Sequence, residues 1–305
     1  MGKSLITGID ISHQSIKAVV LKPEKDTFAL VGYHQMPVEA DIFTDNYRLN
    51  YQKIVKKLKE LRKALPLFSR KVCLSVPDSS VISKQLQIDS NLSDAECQFA
   101  ITQAFARQSP VDVDALYLDF TLLRHDKAQD YKVYAVRKEC VDSRVAPCLK
   151  AGMEPVLINP YSHNLARLWR CAAKQYQQSN WLLIDFNWQS VALYFEAEPL
   201  RLIDKTFSLE SLEQDVIRKT LEKLVLHIQL LDIKLDGVWL SGEIHFFSSF
   251  IQTMQSDAGL ACIPLKLDDL FRCKQETRAD FGPQFSQALG LALSGASWLE
   301  KHNAA

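Results

Sequence analysis

Short apolar stretches open each half of the chain in the same order. A short apolar run bounded by turn residues is consistent with a strand. The pattern predicts a first set of strands at residues 5–11, 16–21 and 28–33. It predicts a second set at residues 181–186, 191–195 and 200–207. Each half is therefore expected to begin with consecutive strands joined by short turns.

Apolar residues at helical spacing follow these strands. Ile54, Leu58, Leu61 and Leu65 recur every third or fourth position and predict a helix over residues 51–65. Ser93 and Glu96 have the spacing of a capping box, which predicts a helix that ends before Pro110. The remaining predicted helices lie at residues 141–151, 161–176, 212–228, from 244 onward, and 285–299; the remaining strands lie at 71–76, 82–88, 116–123, 131–137, 155–158, 237–240 and 262–265.

The two halves share this order of elements as well as a short sequence. The pattern Ile-Asp-x-x-x-Gln-Ser occurs at residues 9–15 and again at 184–190. Each copy places an acid, Asp10 or Asp185, where the first strand of its half turns into the second. A repeat at this distance suggests a duplicated unit, and two facing units would form the lips of a cleft. The alternative is a chance likeness between two hairpins.

Composition narrows the class of protein. The chain has 305 residues, of which 36 are Lys or Arg and 36 are Asp or Glu. The balanced charge gives no global field for nucleic acid, so no direct nucleic-acid partner is expected. Basic residues concentrate between 53 and 63, where their helical spacing favours a solvated outer face over a membrane-binding one. The length allows one large or two medium domains.

Cysteine usage and the N-terminus indicate a cytoplasmic protein. The seven cysteines include no CxxC pair and no histidine at zinc spacing, so we expect free thiols and no metal site. The first apolar run is broken by Asp10, which does not fit a signal peptide. No apolar stretch is long enough to cross a membrane. Any membrane association is expected to be peripheral and through partners.

Several stretches, in order along the chain, resemble the PilM family of type IV pilus assembly proteins, including its HofM-like competence members. Residues 8–19 are similar to the family's phosphate hairpin, GIDIG-x-x-S-x-K-A-V. Residues 151–156 match its AG-x-x-P junction, and residues 263–265, 270–271 and 285–293 resemble its C-terminal signature. The resemblance spans residues 4–294, although the second half is short for the family.

The resemblance implies an α/β chain with the actin-like, duplicated ribonuclease-H-like fold. The first half would span residues 1–180, with a core at 1–77 and 153–180 and an FtsA-type inserted subdomain at 78–152. The second, shortened half would span 181–305. In the family, the N-terminal cytoplasmic peptide of the membrane protein PilN lies in a groove between the first core subdomain and the insertion. The implied function is a non-enzymatic cytoplasmic adaptor of pilus or competence (DNA uptake) machinery, working with PilN-like, PilO-like and other inner-membrane components.

The same resemblance identifies a nucleotide cleft that has lost its glycines. Relatives hold ATP and Mg²⁺ with two Asp-x-Gly hairpins and a glycine-rich helix start, because glycine lets backbone amides approach phosphate. The implied cleft residues here are Asp10, Ser12, Ser15, Lys17, Asp185, Asn187 and Gly242. Ser12 and Asn187 replace the hairpin glycines, and Glu243 follows Gly242 where another glycine is expected. We therefore expect no catalysis and no bound cofactor, with each acid capping its own hairpin through local amides.

Three other classes of protein remain open. An ATP-binding protein or a sugar-kinase or phosphatase-type enzyme of the actin-like superfamily would need the missing glycines. A GspL-like cytoplasmic domain of type II secretion would continue into a membrane span. A filament-forming actin homologue would need surface that the shortened second half lacks. The sequence does not decide whether the chain forms a homodimer.

Overall fold

The computed structural model describes residues 4–25, 27–39, 41–44, 48–89, 91–125, 128–188, 190–197, 201–209, 219–220, 222–224, 226–227, 230, 233–248, 251–252, 260–271 and 280–303. The predicted helix over residues 212–228 lies largely outside these ranges, as do Gln189 of the second repeat and Cys273.

The described strands and helices are, in chain order, β1 (Ile6–Ile11), β2 (Ser15–Pro23), β3 (Phe28–Pro37), α1 (Tyr51–Ala64), β4 (Lys71–Val76), β5 (Val81–Asp89), α2 (Asp94–Gln108), β6 (Leu116–His125), β7 (Ala128–Arg137), α3 (Lys138–Lys150), β8 (Glu154–Pro160), α4 (Tyr161–Tyr176), β9 (Trp181–Phe186), β10 (Ser190–Ala197), β11 (Arg201–Ser208), β12 (Gly237–Gly242), β13 (Ala261–Pro264) and α5 (Ser286–Asn303).

Two five-stranded sheets repeat one topology. The first has the order β3-β2-β1-β4-β8 and the second has the order β11-β10-β9-β12-β13. In both, the first strand pairs antiparallel with the second and parallel with the fourth. This shared order confirms that the two sequence repeats mark a duplicated unit. β3 extends past its predicted end at residue 33, because it pairs with β2 as far as the Ser15–Pro37 position.

Helices cover both faces of the first sheet, which explains why every residue of β1 is buried. α1 and α3 cover the outer face, where Ile54, Leu58 and Cys148 share one core cluster. α4 and α5 lie between the two sheets and join them into a second core cluster. α5 packs chiefly on β1, β2 and α4 of the first half. Gly8 permits this packing, since a Cβ at that position would lie 2.0 Å from the carbonyl oxygen of Ala288.

The inserted module is a small sheet with its own core. Its strands have the order β5-β7-β6, and α2 packs against β5. The predicted capping box is present, because Glu96 accepts from the backbone amide of Ser93 at 2.9 Å. α3, which falls inside the predicted insertion of residues 78–152, contributes Cys148 to the core under α1. The division of the chain into subdomains stays a prediction.

The helix predicted from residue 244 begins as a 3-10 turn at Ile244–Phe247. No helix in the described part of the chain combines the length and apolarity that a membrane crossing requires.

Candidate functional site

The two repeated hairpins close in the same way, without glycine. The amide of Ser12 donates to the carbonyl of Ser15 at 2.9 Å, and the amide of Asn187 donates to the carbonyl of Ser190 at 2.8 Å. Neither Ser12 nor Asn187 has the left-handed backbone that would favour glycine. The replacement of both glycines is therefore compatible with an unstrained turn, and what it changes is the space and the amides around the turn.

Ser12 uses the amides of its own hairpin. Its Oγ accepts from the amide of Ser15 at 3.1 Å and from that of Gln14 at 3.4 Å, and it donates to the carbonyl of Ser15 at 2.9 Å. Asn187 Oδ1 similarly accepts from the amide of Trp188 at 2.7 Å. Amides bonded within the hairpin are less available to an outside anion. Among the residues that the structure describes, those at the two glycine positions bond to the turn amides and the two acids do not.

Asp185 is held by side chains from distant segments. Its Oδ1 accepts from Ser241 at 2.6 Å and from Ser286 at 3.3 Å, and its Oδ2 accepts from Gln287 at 3.3 Å. Burial raises the pKa of Asp185, and these hydrogen bonds oppose the rise. The expectation that Asp185 bonds local amides is therefore wrong. Sequence reasoning did not identify Ser241, Ser286 and Gln287 as partners, because nothing local links them to Asp185.

Asp10 is also buried, but its carboxyl group has fewer hydrogen-bond partners among the described residues than that of Asp185. Asp10 is 4% exposed, and its Oδ1 has no hydrogen-bond partner among the described residues. Burial raises the pKa of Asp10 to about 6; Lys17 opposes this shift, while Asp185 and Glu243 add to it. Ionised Asp10 is therefore costly to the folded chain near neutral pH.

Lys17 pairs with Glu243 across the cleft. Lys17 lies on β2 opposite Asp10, and its Nζ is 2.5 Å from Oε1 of Glu243, which follows β12 in the second half. Both side chains are buried, at 5% and 9% exposure. The second oxygen of Glu243 lies 3.9 Å from Nδ1 of His245. The Lys17–Glu243 ion pair joins the two sides of the cleft at the position where the resemblance implies phosphate binding.

The turn at Gly242 directs Glu243 into the cleft. Gly242 has a φ of +79°, and a Cβ there would lie 2.0 Å from the carbonyl oxygen of Phe186, so glycine is required. The amide of Glu243 donates to that carbonyl at 2.8 Å. The Glu243 side chain makes no capping hydrogen bond to the following turn. Glu243 instead pairs with Lys17 and neutralises its charge.

These contacts do not suit Mg-ATP. Phosphate binding needs available amides and a cation, and Mg²⁺ needs accessible carboxylate oxygens or water between them. Ser12 Oγ accepts from the amide of Ser15 in the first hairpin, and Glu243 neutralises Lys17. Asp185 already accepts hydrogen bonds from three side chains. Of the implied cleft residues that the structure describes, Asp10 and Ser15 retain buried oxygens, Oδ1 and Oγ, without a hydrogen-bond partner. Among the described residues, no three His, Cys, Asp or Glu side chains form a group that could hold a metal ion.

A cavity of about 350 Å³ remains between the hairpins. His13 stacks on Phe43 along one side, with ring centroids 4.1 Å apart, and Trp188 lines the other side. Asp78 and Thr206 line both this cavity and a second one of about 260 Å³. The second cavity shares Lys132, Tyr134, Ser162, His163 and Asp204 with a third, of about 530 Å³. We call the second and third cavities together the trench.

The trench separates the inserted sheet from α4 and β11. Tyr134 of β7 contacts His163 of α4 edge to face at 4.9 Å, and Lys132 lies 5.4 Å from the Tyr134 ring centroid. Arg167 lines the wider part, and its buried Nε has no hydrogen-bond partner among the described residues. Leu157 and Trp298 supply apolar surface. The trench combines a cationic donor with aromatic and aliphatic walls, a chemistry suited to an extended peptide.

Replacing Asp10 tests whether the buried carboxylate is a cost to the fold. Its pKa rises from 3.8 to about 6 on folding. The folded chain then binds the proton more tightly than the unfolded chain, so Asp10 lowers stability as the pH rises from about 4 to about 6. We expect Asp10→Asn to raise the free energy of unfolding by about 2 kcal/mol at about pH 8, measured by urea denaturation.

The exposed Asp236 provides the matched control, and Asp236→Asn should leave the unfolding free energy unchanged. The increase in unfolding free energy caused by Asp10→Asn should also become smaller when the urea denaturation is repeated below about pH 5. A loss of stability in Asp10→Asn at about pH 8 would mean that the ionised carboxylate is favourably bound, which contradicts the argument from burial.

Comparison with known proteins identifies a family to which the chain is similar. A family model described as type IV pilus assembly protein PilM matches residues 8–185 of the chain. A solved PilM–PilN type IV pilus biogenesis complex is similar in structure, with a TM-score of 0.76 and 18% identity over 96% of this chain and 98% of that chain.

Two more distant solved structures have the same general fold. A Bacteroides thetaiotaomicron protein with an actin-like ATPase fold and unknown function has a TM-score of 0.51 at 10% identity, over 86% of this chain and 91% of that chain. The cytoplasmic domain of EpsL, an inner-membrane component of the Vibrio cholerae type II secretion system, has a TM-score of 0.50 at 10% identity, over 97% and 95%. These likenesses confirm the predicted actin-like fold.

Proposed function

The chain belongs to the type IV pilus assembly protein PilM family, and from this membership we propose that it is a non-enzymatic adaptor for a PilN-like membrane protein. The family assigns it a role in type IV pilus assembly. Our proposal adds that the N-terminal cytoplasmic segment of the PilN-like protein binds in the trench, and that the cleft residues Asp10, Ser12, Ser15, Lys17, Asp185, Asn187 and Gly242 are a vestigial nucleotide site.

The buried Arg167 Nε carries the proposal for the trench. A buried guanidinium donor without an acceptor is costly, and the carbonyl groups of an extended peptide are suitable acceptors. The trench lies between the inserted strands β6 and β7 and the first-half elements β8 and α4, with β10, β11 and α5 completing its lining. We propose that it is the groove between the first core subdomain and the insertion in which the family resemblance led us to expect the partner's peptide.

The Lys17–Glu243 ion pair supports the proposal that the cleft has lost its nucleotide function. A ligand phosphate would have to displace the Glu243 carboxylate from Lys17 and leave that carboxylate buried without its partner. The peptide should therefore bind without nucleotide. We further propose that the adaptor works at the cytoplasmic face of the inner membrane, where the PilN-like protein links it to PilO-like components.

Calorimetric titration tests the adaptor function directly. A synthetic peptide with the N-terminal sequence of the PilN-like protein is titrated into the full chain with and without Mg-ATP. We expect equal affinity in both conditions. Binding only with Mg-ATP would favour the ATP-binding actin-like alternative, and no binding in either condition would overturn the proposal.

Arg167→Met tests the trench as the peptide site. The substitution keeps an aliphatic stem but removes the donors, so we expect the peptide to bind at least about tenfold more weakly. Arg107→Met is the control, because Arg107 is exposed at the end of α2 and does not line the trench. Equal peptide affinity of the two variants would mean that Arg167 does not bind the peptide. It would not contradict the proposal that the chain binds the peptide.

A further inference from the structure

The turn between α1 and β4 presents two large apolar side chains to solvent. Leu67 is 73% exposed and Phe68 is 81% exposed. Burying such side chains is favourable, so their joint exposure at one turn is unusual unless another surface covers them. This turn is far from the cleft, because it precedes Lys71, which pairs with Ile6 at the start of β1, whereas the cleft lies beyond the end of β1.

Hydrogen bonds fix this turn in its outward shape. Arg62 donates to the carbonyl oxygens of Pro66, at 3.3 Å, and of Leu67. Both the amide and the hydroxyl of Ser69 also donate to the Pro66 carbonyl, at 3.1 Å and 2.6 Å. The backbone that carries Leu67 and Phe68 is therefore held by side chains, and their exposure is a property of the folded turn.

Exposed basic residues precede and follow the apolar pair along the chain. Lys56, Lys59 and Lys63 recur along the exposed face of α1, and Arg70 follows the turn. None of these four forms an ion pair with a described residue. Residues 56–70 contain six basic residues and one acid, Glu60, which lies 3.9 Å from Lys57, so this segment is a local concentration of positive charge. We call Leu67, Phe68, Lys56, Lys59, Lys63 and Arg70 the basic tip.

We propose that the basic tip binds the surface of an anionic phospholipid bilayer, with Leu67 and Phe68 inserted at the boundary between headgroups and acyl chains. A bilayer closes around a protruding side chain, whereas a protein partner would need a matching pocket. Anionic headgroups complement the four cations, and apolar insertion together with electrostatic attraction is the combination that holds a peripheral protein on a membrane. This contact is separate from the partner peptide and from the trench.

Flotation with lipid vesicles tests the proposal. The full chain, without any peptide, is mixed with vesicles of phosphatidylglycerol and phosphatidylethanolamine or with vesicles of phosphatidylcholine alone. We expect the chain to float with the anionic vesicles and not with the neutral ones. Salt at about 1 M, where the Debye length is about 3 Å, should release it. The variant Phe68→Trp should show tryptophan fluorescence that brominated lipids quench more strongly than that of the unaltered chain.

Variants of the tip and matched variants elsewhere on the chain distinguish binding by the basic tip from binding by any exposed apolar or charged residue. Leu67→Ser with Phe68→Ser should reduce binding at least tenfold, and Lys63→Glu with Arg70→Glu should do the same. The controls are Phe99→Ser, which changes an aromatic side chain 66% exposed on α2, and Lys174→Glu, which reverses an exposed charge at the end of α4. All four substituted residues of the tip are exposed, so thermal unfolding should not change.

Either of two results would overturn the proposal: no preference for anionic vesicles, or equal binding by the tip and control variants. The peptide titration on the Leu67→Ser, Phe68→Ser variant keeps the two functions distinct. If the basic tip is a membrane site, peptide affinity stays unchanged in that variant while vesicle binding is lost.

Discussion

Lys17→Met is expected to lower the free energy of unfolding by about 3–5 kcal/mol near pH 7. Lys17 is the cation to which buried Glu243 is bonded, and it also lowers the pKa values of Asp10 and Asp185. Its removal leaves three carboxyl groups in one buried region without that compensation. Urea denaturation of the variant and of the unaltered chain measures the loss.

The pH dependence of this loss distinguishes electrostatics from packing. Burial already raises the pKa of Asp10 to about 6 and raises that of Asp185. Without Lys17 both pKa values rise further, so these carboxyls take up protons as the pH falls from neutral toward about 5. The deficit of Lys17→Met should therefore be smaller at about pH 5 than at pH 7. A deficit caused by lost methylene packing would not change over this range.

Two further variants control the experiment. Adding Glu243→Gln to Lys17→Met removes one orphaned charge and should recover part of the lost stability, which gives a positive coupling energy in a double-mutant cycle. Arg48→Met breaks an ion pair with Glu139 at 2.9 Å whose partners are 45% and 40% exposed, and should cost less than about 1 kcal/mol. A loss in Lys17→Met no larger than that in Arg48→Met would mean that the buried pair contributes nothing to closing the cleft.

Gly8→Ala is expected to lower the free energy of unfolding by about 3 kcal/mol, because overfilling a packed core costs about 1–3 kcal/mol and more when backbone must move. The added methyl would lie 2.0 Å from the carbonyl oxygen of Ala288 and 2.6 Å from the amide nitrogen of Ala292. Both atoms belong to the backbone of α5, so no side-chain rotation relieves the contact. Thermal or urea denaturation measures the effect.

Gly32→Ala is the matched control within the same sheet. A Cβ at Gly32 meets only the ring of Pro66, at 3.5 Å, which is an ordinary contact. Alanine is also less costly than glycine in a strand, so Gly32→Ala should be neutral or slightly stabilising. If Gly8→Ala and Gly32→Ala had the same stability, the backbones of β1 and α5 would not be close enough to exclude a Cβ at position 8.

Local patterns predicted the strands and their duplication, because β1, β2 and β9 are short, mainly apolar segments bounded by turns, as expected of strands that are buried on both faces. The sequence could not predict the Lys17–Glu243 pair, whose members are 226 positions apart. It also could not assign α5 to the first sheet. The apolar pattern of that helix indicates burial but does not identify the surface that covers it.

The position of α5 has a consequence for the synthesis of the chain. β1 is translated long before the helix that covers it, which comes from residues 286–303. The first sheet therefore exposes one apolar face until α5 has been translated. Many multidomain proteins fold from the N-terminus domain by domain as they are made. Here the first sheet cannot bury this face until α5 has been made. Nascent chains stalled before residue 286 should therefore be substrates for chaperones that bind exposed apolar strands.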